Sequence, residues 1–296
     1  NIKIKDSDLY IKSQEGKVTF GEVTDTTNPA LSVVNGSAYV VAKDALTMNG
    51  DVVLDSLTKN SLIEGSSVSM DSLTSTNNAE RMIAIGATNE KLAITGEVTV
   101  DDTKLLQISG AKGIDIKATG TKKGDVTITD SKFAAIADTG NINIDGNVSA
   151  DNSVVSIVVR DSGTGNITIG NNSTTTPALS VVDSSAYISS EGLTTIKGDV
   201  LMNNLADLAY ISGNSVDIKG DVSIKNSEYA STIYAQDGNL TLGALDVVNN
   251  IDPNGKNAKT TIASNGGDII AKGKLNVEDA DIWVSANGAM KIASDT

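Results

Sequence analysis

A five-residue pattern of polar and apolar positions recurs along the chain: a glycine, a polar residue, an aliphatic, any residue, an aliphatic. It reads GKVTF at 16–20, GDVVL at 50–54, GEVTV at 96–100, GDVTI at 124–128 and GNINI at 140–144. It continues as GNITI at 165–169, GDVLM at 198–202, GDVSI at 220–224, GNLTL at 238–242 and GKLNV at 273–277. Apolar and polar residues alternating over so short a run carry the strand period of two, and the leading glycine marks a turn or corner. Ten such runs require a repeating architecture. Around them lie longer units, at 96–116, 124–144, 220–242 and 273–292. Each has an alternating strand, an Asp/Asn/Ser turn, a second short apolar run, a glycine corner and a third alternating strand. Unit starts lie 22 positions apart (124 to 146, 198 to 220) or 28 apart (96 to 124), and the gap from 50 to 96 fits two units of 23. These spacings fall in the range of solenoid repeats.

A longer period overlies the short one. Residues 26–57 and 174–205 align without a gap at an offset of 148, with 16 of 32 positions identical; TTNPALSVVNGSAY in the first copy faces TTTPALSVVDSSAY in the second. The likeness runs on to GSSVSM at 65–70 against GNSVDI at 213–218. The chain therefore divides into two tandem super-repeats, 1–148 and 149–296. At about 25 residues per coil each holds six coils, about twelve in all.

Helical reading fails, because Gly, Asn, Val, Ile and Thr are abundant and no stretch keeps apolar residues at i, i+3, i+4, i+7. The best helical stretch, Asn77 to Ala93, is broken by Gly86 and Asn89 and reads as another, irregular coil. Pro29, Pro177 and Pro253 fall in turn-like sequence, where a missing N–H disrupts no ladder. The fold expected is all-β: a parallel β-helix, or solenoid, whose coils pair with those above and below at about 4.8 Å. Val52 and Leu54, Val98 and Val100, Val126 and Ile128, Val222 and Ile224, and Leu275 and Val277 then point inward. Val53, Thr99, Thr127, Ser223 and Asn276 point to solvent. With only 9 aromatic residues in 296, the core is expected to consist of Val, Ile, Leu, Ala and Met. Twelve coils would form one continuous rod on the order of 60 Å long. Both ends resemble interior coils, and Asn1 follows no signal-peptide pattern, so the chain reads as a fragment of a larger protein.

Composition narrows the chemistry. The chain has no Cys and no His, which excludes Ser–His–Asp and Cys–His nucleophile pairs, thiolate chemistry and ordinary zinc sites. A formal charge of −14 argues against a nucleic-acid partner, and Lys122-Lys123 is the one adjacent basic pair. No apolar stretch approaches the ~20 residues of a membrane-spanning helix.

The Gly-Asn/Asp-[Val/Ile]-x-[Ile/Val] repeats, the Asn/Ser/Thr richness and the absence of Cys resemble the β-helical stalks of large secreted bacterial exoproteins. These are the filamentous-haemagglutinin-like two-partner secretion adhesins and the related autotransporter passengers. The resemblance spans the whole chain and rests on repeat style. It implies a right-handed β-helix, export through an outer-membrane barrel (type V secretion), and a role at the cell surface in adhesion or toxin display. It carries no catalytic residue onto this sequence.

Candidate sites each have a structural reading beside the chemical one. Asp101-Asp102 is the carboxylate pair best suited to polysaccharide cleavage, yet Asp130 and Asn226 occupy the same place in other units, which favours a repeated turn. Asp145-Gly146-Asn147, Asp252-Pro253-Asn254-Gly255 and Asp6-Ser7-Asp8 offer oxygen ligands for calcium. None fits a spaced calcium loop, and Gly266-Gly267 lacks the rest of the nonapeptide repeat. Asn35, Asn147, Asn166, Asn171, Asn172 and Asn239 begin glycosylation sequons. Tyr229, Tyr234 and Trp283 are candidates for an outward sugar platform, whereas Tyr39 and Tyr187, equivalent in the duplication, point to packing.

The sequence thus predicts a non-enzymatic structural and adhesive segment that presents a binding or toxin region at a bacterial surface. No catalytic, metal or cofactor residue is assigned. The expected partners are a host or bacterial surface receptor, protein or glycan, and an outer-membrane secretion barrel. The alternative is a polysaccharide-degrading β-helix enzyme: a lyase, a hydrolase or a phage depolymerase. An ice-binding solenoid ranks last, since Thr-x-Thr pairs such as Thr127 and Thr129 are scattered.

Overall fold

A computed structural model describes residues 1–22, 28–161, 164–171, 176–251 and 254–293. The described residues are strands, turns and bends, with no helix, and so none long and apolar enough to cross a membrane. The chain separates into two compact units, Asn1–Gly146 and Asn147–Thr296. Each is a parallel β-helix: successive coils have three strands, and each strand pairs in parallel with its counterpart one coil away.

In the first unit the first face runs in register Ile2–Leu31–Val52–Leu73–Val98–Val126. The second face runs Ile11–Val40–Ile63–Ile85–Ile108–Ala135, and the third stacks Leu92 on Val68 and under Ile114 and Ile142. Strand alternation sends every second side chain inward, so Val52, Leu54, Val98, Val100, Val126 and Ile128 are fully buried. The stretch expected to be an irregular coil is one: Leu73–Ala87 is a single strand that turns the corner, with its register broken between Asn78 and Met82. Both phenylalanines of the chain, Phe20 and Phe133, join the aliphatic core, so the interior accommodates rings that composition alone gave no place.

In the second unit the first face runs Val148–Leu179–Val200–Val222–Leu245–Leu275. Its second face carries an unbroken isoleucine column, Ile157–Ile188–Ile211–Ile233–Ile262. Val222 and Ile224 are buried as expected. Leu275 and Val277 are not: they are 37% and 38% exposed. Their register opposite Leu245 and Val247 aims them inward, but among the described residues Leu275–Glu278 has a paired neighbour on one side only. Pro29 and Pro177 lie outside the ladders; Pro253 lies outside the described residues.

Corner chemistry explains the sequence motif. Between first and second faces every coil places one residue in the left-handed backbone region. In the first unit these are Asp6, Asn35, Ser56, Asn77, Asp102 and Asp130; in the second, Asn152, Asp183, Asn204, Asn226, Asn249 and Asp279, all with φ of 43–54°. Asn and Asp tolerate that region because their short side chains bond locally or to a neighbour; Asn35 Nδ2, for example, donates to Asp6 Oδ1 at 3.0 Å. The next residue turns inward and is often polar. Ser184 Oγ accepts the Ser153 amide at 2.8 Å, and Asn78 Oδ1 accepts the Leu57 amide at 2.7 Å.

At the other two corners the Asp or Asn after a glycine bonds forward in several coils. Asp199 Oδ1 accepts the amide of Asp221 at 2.9 Å, and Asp221 Oδ1 that of Ala244 at 2.7 Å. Asn166 and Asn239 do the same for Leu193 (2.7 Å) and Asp268 (2.8 Å). The repeated Gly-Asx pair is thus an inter-coil cap.

Candidate binding face

The outward side of the second face concentrates exposed apolar and aromatic residues. In the second unit the strands Val154–Val159, Ser185–Ser189, Ala209–Gly213 and Ser231–Ala235 read VVSIVV, SAYIS, AYISG and STIYA. No charged residue occurs in them, although charged residues are 20% of the chain. Their inward positions are aliphatic or small; their outward positions are Tyr, Ser, Thr and Val. Val154, Tyr187 and the flanking Leu208 and Tyr229 are all exposed, Tyr187 to 46%.

Register fixes how the rings meet. Tyr187 lies opposite Tyr210 in the next coil, and the two rings stack with centroids 5.3 Å apart and planes 14° from parallel. Offset-stacked pairs of this kind contribute about 0.5–1.5 kcal/mol beyond area burial. On its other side Tyr187 lies opposite Ser156, whose side chain is too short to cover a ring. Tyr210 is followed by Thr232 and Thr261. Ser212 Oγ donates to Ser189 Oγ at 3.0 Å, and Asn265 Nδ2 donates to the Tyr234 hydroxyl. Over these four strands the face is therefore uncharged and lined with hydroxyls around one half-open ring.

Of the rings expected to face outward, Tyr229 and Trp283 are exposed and Tyr234 is half-buried. Lys259 Nζ sits 4.9 Å from the Trp283 ring centroid. Tyr39 and Tyr187, expected to pack, do so outside the core: each stacks on a neighbouring tyrosine, Tyr39 on Tyr10 at 4.8 Å in the first unit.

The carboxylate candidates are not gathered. Asp102 and Asp130 occupy the left-handed corner column of the first unit, and Asn226 that of the second; Asp101 is the strand residue before the corner. Among the described residues no group of three or more acids could hold a metal ion. Asp6 belongs to the same column, and Asp8 accepts Ser37 Oγ at 2.6 Å and Lys59 Nζ at 2.5 Å. Those bonds hold its carboxyl below the usual range. Asp145 Oδ2 accepts the Ala118 amide at 3.3 Å, and Asn147 Nδ2 donates to Thr176 Oγ1 at 2.8 Å. Asp252 and Pro253 lie outside the described residues, as does Asn172; Gly255 has φ 74°. Among the other sequons, Asn35, Asn166 and Asn239 are engaged in inter-coil bonds. Lys122 is a clasp: its Nζ donates to Asp51 Oδ1 at 2.6 Å and to Ser72 Oγ at 2.9 Å.

One carboxylate gave no signal in the sequence. Asp115, outward on the third face, is buried between Lys91 (3.1 Å), Lys117 (3.7 Å) and Asn143, whose Nδ2 donates to it at 2.8 Å. Burial pushes its carboxyl up, but the amide and the two ammonium groups outweigh burial and hold it below the ordinary value.

Compared with protein-family models, curated proteins and solved structures, the chain matches none.

Proposed function

We propose that the chain is a non-enzymatic structural and adhesive segment of a secreted bacterial surface exoprotein. The observation that carries this reading is the uncharged, ring-bearing stretch of the second unit's second face from Val154 to Ala235, set on a ladder that runs through that unit coil by coil. Exposed aromatic patches on rigid sheets mark interaction surfaces. Of the acid pair singled out for catalysis, Asp102 is a left-handed corner residue like Asp130 and Asn226, and Asp101 is the strand residue before it, which supports the turn reading. The expected partner is a surface receptor, and the resemblance of the repeats to two-partner and autotransporter stalks supports passage through an outer-membrane barrel to the cell surface.

Two measurements on the purified chain test this. Immobilised chain should retain bacterial or host cells. Incubation with neutral and acidic polysaccharides should release no new reducing or unsaturated ends. Shortening of any polysaccharide would establish the alternative, a β-helix depolymerase, lyase or hydrolase.

A further inference from the structure

We infer that the uncharged part of the second face of the second unit, the strands from Val154 to Ala235, docks a neutral polysaccharide, with one pyranose ring stacked on the face of Tyr187 that Ser156 leaves open. This rests on the adhesive reading above and names its ligand class. A pyranose presents two kinds of surface, a patch of C–H groups and a rim of hydroxyls. Tyr187 supplies an aromatic plane for the first, exposed on the side away from Tyr210. Ser156 in the preceding coil and Ser185 and Ser189 on the same strand supply hydroxyls at its margin. Aromatic planes combined with a few convergent polar groups are the general construction of such sites.

Charge decides the class of sugar. The four strands from Val154 to Ala235 offer no cation to a uronate or sulfate, and the chain as a whole carries −14. Within these strands an acidic polysaccharide would meet no compensating cation. A neutral one loses nothing.

Affinity electrophoresis of the 296-residue chain tests the inference, with gels containing hydroxyethylcellulose, galactomannan, dextran, alginate or heparin. At least one neutral polymer should retard the chain, and alginate and heparin should not. Tyr187→Ala should weaken retardation about tenfold. Ser156→Tyr should abolish it by placing a second ring over Tyr187, as Tyr10 lies over Tyr39; unchanged strand circular dichroism would show that both variants fold. The inference is overturned if no neutral polymer retards the chain, if acidic polymers retard it as strongly, or if neither substitution matters. It is equally overturned if the face proves to be a self-interface, seen as dimers that Tyr187→Ala dissolves. Cell retention that survives alongside failed retardation would discard the glycan and leave the adhesive reading. Polymer shortening would discard the adhesive reading instead.

Discussion

Gly220 stands directly over Asp199. A Cβ on Gly220 would collide with the Asp199 amide nitrogen and with Oδ1, the atom that accepts the Asp221 N–H at 2.9 Å. The glycine and the aspartate of the repeat are thus one device seen in two consecutive coils: the first leaves the space into which the second reaches. Gly243 over Asp221 and Gly267 over Asn239 repeat it.

Gly220→Ala should therefore destabilise the second unit by about 1–3 kcal/mol, because backbone must shift and the cap is lost. Asp199→Ala should cost about 1 kcal/mol and Asp199→Asn much less, since an amide oxygen still accepts the bond. Urea midpoints of the three variants would show the order. Equal midpoints for Gly220→Ala and wild type would remove the steric account.

The buried polar column makes a second prediction. Ser184 is fully buried, accepts the Ser153 amide and donates back to the Val182 carbonyl. Ser184→Ala leaves the Ser153 N–H orphaned inside the protein, and the expected loss is about 1–3 kcal/mol. The outward Ser180 on the preceding strand provides the comparison: Ser180→Ala should change stability by no more than about 0.5 kcal/mol. Thermal melts of the pair settle it.

Asp102 tests the turn reading of the corner. Its φ of 43° suits Asn as well as Asp and suits a β-branched residue badly. Asp102→Asn should leave stability unchanged and Asp102→Val should lower it by about 1–2 kcal/mol. Were the carboxylate itself needed at this corner, the Asn variant would unfold at a lower denaturant concentration.

Acid should act through Asp115. Its folded carboxyl titrates below the ordinary value, so its contribution is complete above the unfolded value, near pH 4, and is lost as pH falls through the lower folded value. Asp268, held down by the Ala289 amide and Lys291, has the same sign. Wild type should accordingly exceed Asp115→Asn in stability at pH 7, and the gap should close below about pH 4. Paired denaturation curves across that range check it; a gap that widens in acid would mean that the folded carboxyl is raised, not lowered.

The strands and their inward residues were legible because alternation is local: GDVTI shows Val126 and Ile128 as a core pair without reference to anything else. Which corner a given Gly-Asx pair occupies was not legible. Asp199 and Asn239 look alike in a five-residue window, yet one caps the entrance to the first face and the other the entrance to the third. The distinction lies in partners one coil away, and coil length varies from 21 positions (Leu31 to Val52) to 31 (Val148 to Leu179). That variation also hid the binding face. Tyr187 and Tyr210 meet only once the length of the intervening coil is known, and Tyr187 is half open only because Ser156 is its other neighbour. Buried Asp115 was hidden for the same reason, its partners Lys91 and Asn143 lying in the coils on either side.

The caps join equivalent positions of successive coils, so recombination that inserts or deletes one complete circuit leaves each donor facing an acceptor of the same kind. A single-codon insertion inside a strand would instead turn its aliphatic side chains out to water. Genes of this construction should therefore drift in length by whole circuits, while point insertions survive only at corners, as in the loop that brings Lys122 back to Asp51.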